Sequence, residues 1–71
     1  MTRINTEKLI KKQQEDYAVR ACTRYFKMYG EIDKSSIDQI NIAVENMQIK
    51  NEDQAFSIIT LNEEALNLLT K

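Results

Sequence analysis

Apolar residues along this chain return at intervals of three and four, in three blocks separated by polar connections. The first complete block is Tyr17 to Gly30, YAVRACTRYFKMYG, which holds all three tyrosines, the one cysteine and, at its end, the one glycine. Wound as a helix, its apolar positions sweep roughly 200°, more than one packing partner covers. Ala18, Cys22, Tyr25 and Tyr29 make one seam, which Ala21 and Met28 widen. Val19 and Phe26, one heptad apart, lie on the other side. Arg20, Arg24 and Lys27 gather on the narrow remaining face with Gln13 and Asp16. The pattern predicts a helix covered on two sides, ended by Gly30 in the left-handed conformation that a Cβ resists.

Upstream, residues 1–5 read as a frayed lead-in and the first helix is expected over 6–29, with Asn5 or Thr6 as its cap and Glu7 in its first turn. Lys11 to Asp16, KKQQED, offers six polar residues and no inward-facing member. Helix propensity holds it in register, as do the pairs Glu7/Lys11 and Asp16/Arg20, worth a few tenths of a kcal/mol each.

The second helix is expected over 36–50. Ser35 or Ser36 is its cap, Ser36-Ile37-Asp38-Gln39 fits a capping box, and Ile37, Ile40, Val44 and Met47 form its stripe with Ala43 beside them. Ile42 and Ile49 fall on the opposite face, so this helix too carries more apolar surface than one contact needs. The third is expected over 52–70, with Asn51 as cap and Glu52 and Asp53 against the helix dipole. Ala55, Phe56, Ile59, Leu66 and Leu69 line one side, and Asn62 is the polar intrusion. The fold class is therefore all-α: a small three-helix domain, one long helix followed by a helical hairpin. The competing arrangement is α+β in helix-strand-strand-helix order, because Gln39 to Glu45 alternates and Phe56 to Leu61 is rich in β-branched residues. An Asn-Glu-Asp-Gln tip, where a tight hairpin prefers Asn-Gly or Asp-Gly, and the poor stability of a lone two-stranded sheet weigh against it.

Size sharpens this picture. A chain of 71 residues is one domain and buries only about 60% of the surface its unfolded chain exposes. Small domains add disulfides, a metal or a partner. One cysteine closes no intrachain bridge, and without histidine a single thiol builds no tetrahedral zinc site. A partner subunit or unusually good helix packing remains, and the expectation is a homodimer or a complex with a larger protein. No apolar run approaches the roughly 18 residues that span a bilayer, and no apolar signal core follows Met1-Thr2-Arg3. The expected place is the cytoplasm, with Cys22 a reduced thiol.

Chemistry is sparse. There is no histidine base, no glycine-rich phosphate loop, and the adjacent carboxylates Glu15/Asp16, Glu52/Asp53 and Glu63/Glu64 diverge on a helix instead of converging. No catalytic residue, cofactor or metal is assigned. Cys22 reads as a buried thiol and the tyrosines as core. Net charge is −1 but uneven: residues 1–30 carry seven bases against three acids, and residues 31–71 carry three against eight. Such halves attract within one molecule or between two.

A DNA reader is the alternative class. The second and third helices, joined at Lys50-Asn51, resemble a helix-turn-helix, with Ala43, Met47 and Ile49 near its apolar positions. A reading helix that opens Asn51-Glu52-Asp53 and carries no base before Lys71 repels phosphates. Nucleic acid would then have to meet the basic face Arg20, Arg24 and Lys27. The function expected is a protein-interaction module, a regulator or inhibitor acting by helix packing, with Val19, Tyr25, Phe26, Tyr29, Ile42 and Ile49 as partner-binding residues.

Overall fold

The computed structural model describes residues 6–69 and is all-α: α1 Thr6–Tyr29, α2 Lys34–Glu45 and α3 Glu52–Leu69. The expected lead-in, the Asn5 or Thr6 cap, the Glu7 side chain and residue 70 lie outside that description. No strand occurs among the described residues, so the hairpin alternative over 39–61 is set aside. The helices extend over 58 × 21 × 17 Å. The α1 start and the α3 end carry half-exposed or exposed apolar residues, Leu9 and Ile10 at one and Leu68 and Leu69 at the other.

The core is assembled from Ala18, Ala21 and Tyr25 of α1, Ile40, Ala43 and Val44 of α2, Ile49 of the connection, and Ala55 and Ile59 of α3. Alanines at Ala21 and Ala55, both sealed from solvent, leave little side chain between the helices at those points. The three fully buried isoleucines, Ile40, Ile49 and Ile59, contribute about 1.5–3 kcal/mol each. Tyr25 stacks at a tilt on Tyr29, ring centroids 4.4 Å apart, and on Phe56 at 5.9 Å.

The first helix has the expected span, and KKQQED is helical throughout. Its inward face differs by one ridge from the expected seam. Gln14, Ala18, Ala21 and Tyr25 point in, while Met28 and Tyr29 are exposed and Cys22 is half-buried. Gln14 thus supplies the inward-facing member that the polar stretch lacked: it is 5% exposed, and its Oε1 accepts the Ile49 amide proton at 3.2 Å. Gly30 closes the helix at φ 78°, its N–H donating to Phe26 O at 2.7 Å.

The second helix starts earlier and stops earlier than expected. Asp33, not either serine, is the cap: its carboxylate accepts from the Ser35 amide at 2.9 Å and the Ser35 hydroxyl at 2.6 Å. Ser36 is buried instead, and the capping box beginning there is not formed. The helix ends at Glu45 because Met47 enters the left-handed region, φ 53°. Met47 N–H then donates to Val44 O at 3.0 Å and Gln48 N–H to Ala43 O at 2.9 Å, the paired closing bonds of a helix C-terminus. Because the chain turns there, Ile49 is not on α2 at all. It drops into the core. The third helix opens as expected, the Gln54 amide donating to Asn51 Oδ1 at 2.7 Å while Gln54 Oε1 accepts from the Lys50 amide at 2.8 Å.

Candidate docking surface

Six core positions of α1 and α2 bring the two helices together along their inner edges, and outside that seam they part to leave a groove of about 500 Å³. Ala18, Val19 and Cys22 line it from α1, Ile37, Ile40 and Val44 from α2, and Glu15 and Glu45 stand at one end. Glu45 is paired there with Lys11, 3.1 Å away. Burial pushes the Cys22 thiol above its ordinary value, which disfavours the nucleophilic thiolate. The groove is thus an apolar recess with a neutral floor.

Of the six expected partner-binding residues, the structure places four outside and two inside. Val19 (63% exposed), Phe26 (55%), Tyr29 (57%) and Ile42 (52%) are open to solvent. Tyr25 (8%) and Ile49 (1%) are spent in the core and are removed from the surface. Tyr25 went inward because its ring fills the space between α1 and Phe56, and Ile49 because α2 ended before it. Burial, then the carboxylates of Glu63, Glu31 and Glu64 and the neighbouring Tyr29, raise the Tyr25 phenol above its ordinary value. Ile42 is separated by more than a third of a helical turn from Ile37, so it does not share the groove. Val19 and Phe26 do share one outward ridge with Cys22. Ile37, expected in the α2 core stripe, is half-exposed on the facing wall, and its place at the end of that stripe is the signal in the sequence.

The basic face is arranged differently from a phosphate contact. Arg20 Nε lies 3.1 Å from Asp16. Arg24 meets Asp53 at 3.1 Å and Glu52 at 3.6 Å, with its guanidinium 4.4 Å from the Phe56 ring centroid. Two of the three cations therefore already have acidic partners, and the third, Lys27, borders a shallow hollow with Val19, Thr23 and Met28.

A separate polar cluster joins the α2 start to α3. Glu63 accepts from the Ser36 hydroxyl and from the Asp33 amide (3.1 Å), and Asn62 Nδ2 donates to Ser35 Oγ at 2.9 Å and Ser36 Oγ at 2.8 Å. This explains Asn62: the intrusion on α3 is the partner of a buried serine. No helix among the described residues is long and apolar enough to cross a membrane, and among them no group of three or more acidic or cysteine side chains is placed to hold a metal ion. In comparisons with protein families, curated proteins and solved structures, none matches this chain.

Proposed function

We propose that the chain is a small protein-interaction module of the cytoplasm, a regulator or inhibitor that acts by presenting the outer ridge of α1 and the adjoining α1/α2 groove to another protein surface. The observation that carries this reading is Val19 and Phe26, both more than half exposed on one ridge beside an apolar recess. Large exposed apolar groups beside a groove mark interaction surfaces, whereas isolated ones mean little. The size of the recess falls in the range of about 300–1,000 Å³ that holds a few buried side chains or a small ligand. No catalytic step is assigned to it. The arginines contribute to internal cohesion in this reading, and nucleic acid is not the partner.

The test compares tagged wild-type protein with Val19→Glu and Phe26→Glu. Both positions are exposed, so circular dichroism and thermal melting should be unchanged. A bound protein, whether another species or untagged copies of this chain, should be retained by the wild type and lost by both variants. Identical retention by all three would reject this surface.

A further inference from the structure

Tyr29, Tyr25 and Phe56 form a row of rings, with centroids 4.4 and 5.9 Å apart. The Phe56 end of the row holds a cation: the Arg24 guanidinium covers that ring at 4.4 Å, while Asp53 and Glu52 pair with it at 3.1 and 3.6 Å. The opposite end offers the same kinds of group without a base. There Tyr25 and Tyr29 border a recess of about 310 Å³ together with Glu31, Glu63 and Glu64. The described ion pairs use Asp16, Glu45, Glu52 and Asp53, so none of these three carboxylates has a lysine or arginine partner among the described residues.

Tyr25 turns this acidic rim into a site. It is 8% exposed, yet its hydroxyl makes no hydrogen bond among the described residues and is not sealed from solvent. The polar tip of a buried ring thus opens into the recess. Burial first, and then the nearby charges led by Glu63, hold the phenol above its ordinary value, so at neutral pH it is an uncharged hydroxyl whose lone pairs accept. Glu63 is already held by the Ser36 hydroxyl and the Asp33 amide, whereas Glu31 and Glu64 are exposed and make no hydrogen bond among the described residues. No three acidic side chains among the described residues are placed to share a metal ion, so the rim suits a larger cation. The carbonyls at the end of α1, beside Tyr29, add to the negative potential. We infer that this recess binds an alkylammonium ion, its N–H groups donating to the Tyr25 hydroxyl and to the carboxylates of Glu31 and Glu64, and its methylene stem lying on the Tyr29 ring. Such a group is carried by a lysine side chain of another protein or by a free polyamine. The recess is separate from the α1/α2 groove, and the two stand or fall independently.

NMR titration of the isotope-labelled protein with butylammonium chloride, against sodium chloride at equal ionic strength, tests this. Butylammonium should shift the Glu31 and Glu64 amides and the Tyr25 and Tyr29 ring signals saturably, and sodium should not. Tyr25→Phe keeps the ring and removes the acceptor, and should weaken binding about ten-fold or more, as the loss of a hydrogen bond to a charged group does. Glu64→Gln, at an exposed position, should weaken it several-fold. Tetramethylammonium, the same charge without N–H groups, should bind about ten-fold more weakly than butylammonium. N-acetyl-lysine methylamide and putrescine then separate the sources: tighter binding of the lysine derivative assigns the site to a protein side chain, and tighter binding of the diamine assigns it to a free polyamine. The inference is overturned by the absence of a saturable shift, by shifts that sodium chloride reproduces, by tetramethylammonium binding as tightly as butylammonium, or by unchanged affinity in Tyr25→Phe with its helical spectrum intact. Should Tyr25→Phe not fold, unchanged affinity in Glu64→Gln overturns it equally.

Discussion

Gln14 Oε1 accepts the amide proton of Ile49 at 3.2 Å, a bond that spans 35 positions of sequence and ties the α2–α3 connection to α1. Both groups are shielded from water, so no solvent molecule replaces the acceptor when it is removed. Gln14→Leu keeps the approximate volume and leaves the Ile49 N–H unsatisfied. The expected cost is about 1–3 kcal/mol, and each kcal/mol lowers the Tm of a domain this size by about 4–8 °C. Thermal unfolding followed at 222 nm reads it directly, and a Tm equal to that of the wild type would show that the connection is held by Ile49 packing alone.

Ser36 makes a comparable prediction at the other end of α2. Its sealed hydroxyl donates to Glu63 and accepts from Asn62. Ser36→Ala removes one hydrogen bond from each α3 group while Glu63 keeps the Asp33 amide and Asn62 keeps Ser35 Oγ, and a loss of about 0.5–1.5 kcal/mol is expected. Asn62→Ala in the same background should cost less than it does in the wild type, because the pair is already broken. A double-mutant cycle from urea titrations measures that difference. Strict additivity would separate the two residues energetically.

Asp33 carries a pH dependence. Hydrogen bonds from the Ser35 side chain and backbone hold its carboxyl below the ordinary 3.8. A depressed folded-state value means that the stabilisation is present above the unfolded value and fades as pH falls through the folded one. Wild-type stability relative to Asp33→Asn should therefore decline as pH drops from about 5 toward 2, since asparagine caps well but does not titrate there. Melting curves at half-unit pH steps give the two profiles. Parallel profiles throughout would mean that the cap does not depend on the ionised carboxylate.

Much of the fold was legible because α1 and α3 announce themselves by three-and-four spacing, by Gly30 and by the Asn51 cap. The boundaries of α2 were less so, and the reasons are physical. Either serine is a good cap, but Asp33 stands two positions ahead of Ser35 and its carboxylate captures the Ser35 amide and hydroxyl. Glutamine in a polar run gives no sign of facing inward until a distant backbone N–H needs an acceptor, which is the case for Gln14. The candidate surface was half legible: heptad spacing picked out Val19 and Phe26, whereas the inward turn of Tyr25 depends on where Phe56 of another helix sits. The ion pairs of Arg24 likewise join residues 28 and 29 positions apart, beyond any local pattern.

Met47 continues the apolar stripe of α2 in the sequence yet lies beyond the end of the helix, at the place where the chain is strained. It holds φ 53° without being glycine, among the described residues the one such case. For a residue with a Cβ the left-handed conformation costs about 1–2 kcal/mol, a cost that the closing bonds to Val44 and Ala43 offset here. The side chain is substantially exposed, so little packing is lost on removing it. Glycine relieves the steric cost but surrenders about 0.5–1 kcal/mol of backbone entropy. Met47→Gly should therefore stabilise the protein by a net of about 0.5–1 kcal/mol, raising Tm by a few degrees. Met47→Asn, which tolerates the same region, should be neutral or mildly stabilising. Met47→Val should destabilise, because a β-branched side chain resists this backbone most. The order Gly above wild type above Val in thermal melts is the expected result. A glycine variant that melts below the wild type would mean that the Met47 side chain contributes more by its contacts than its backbone costs.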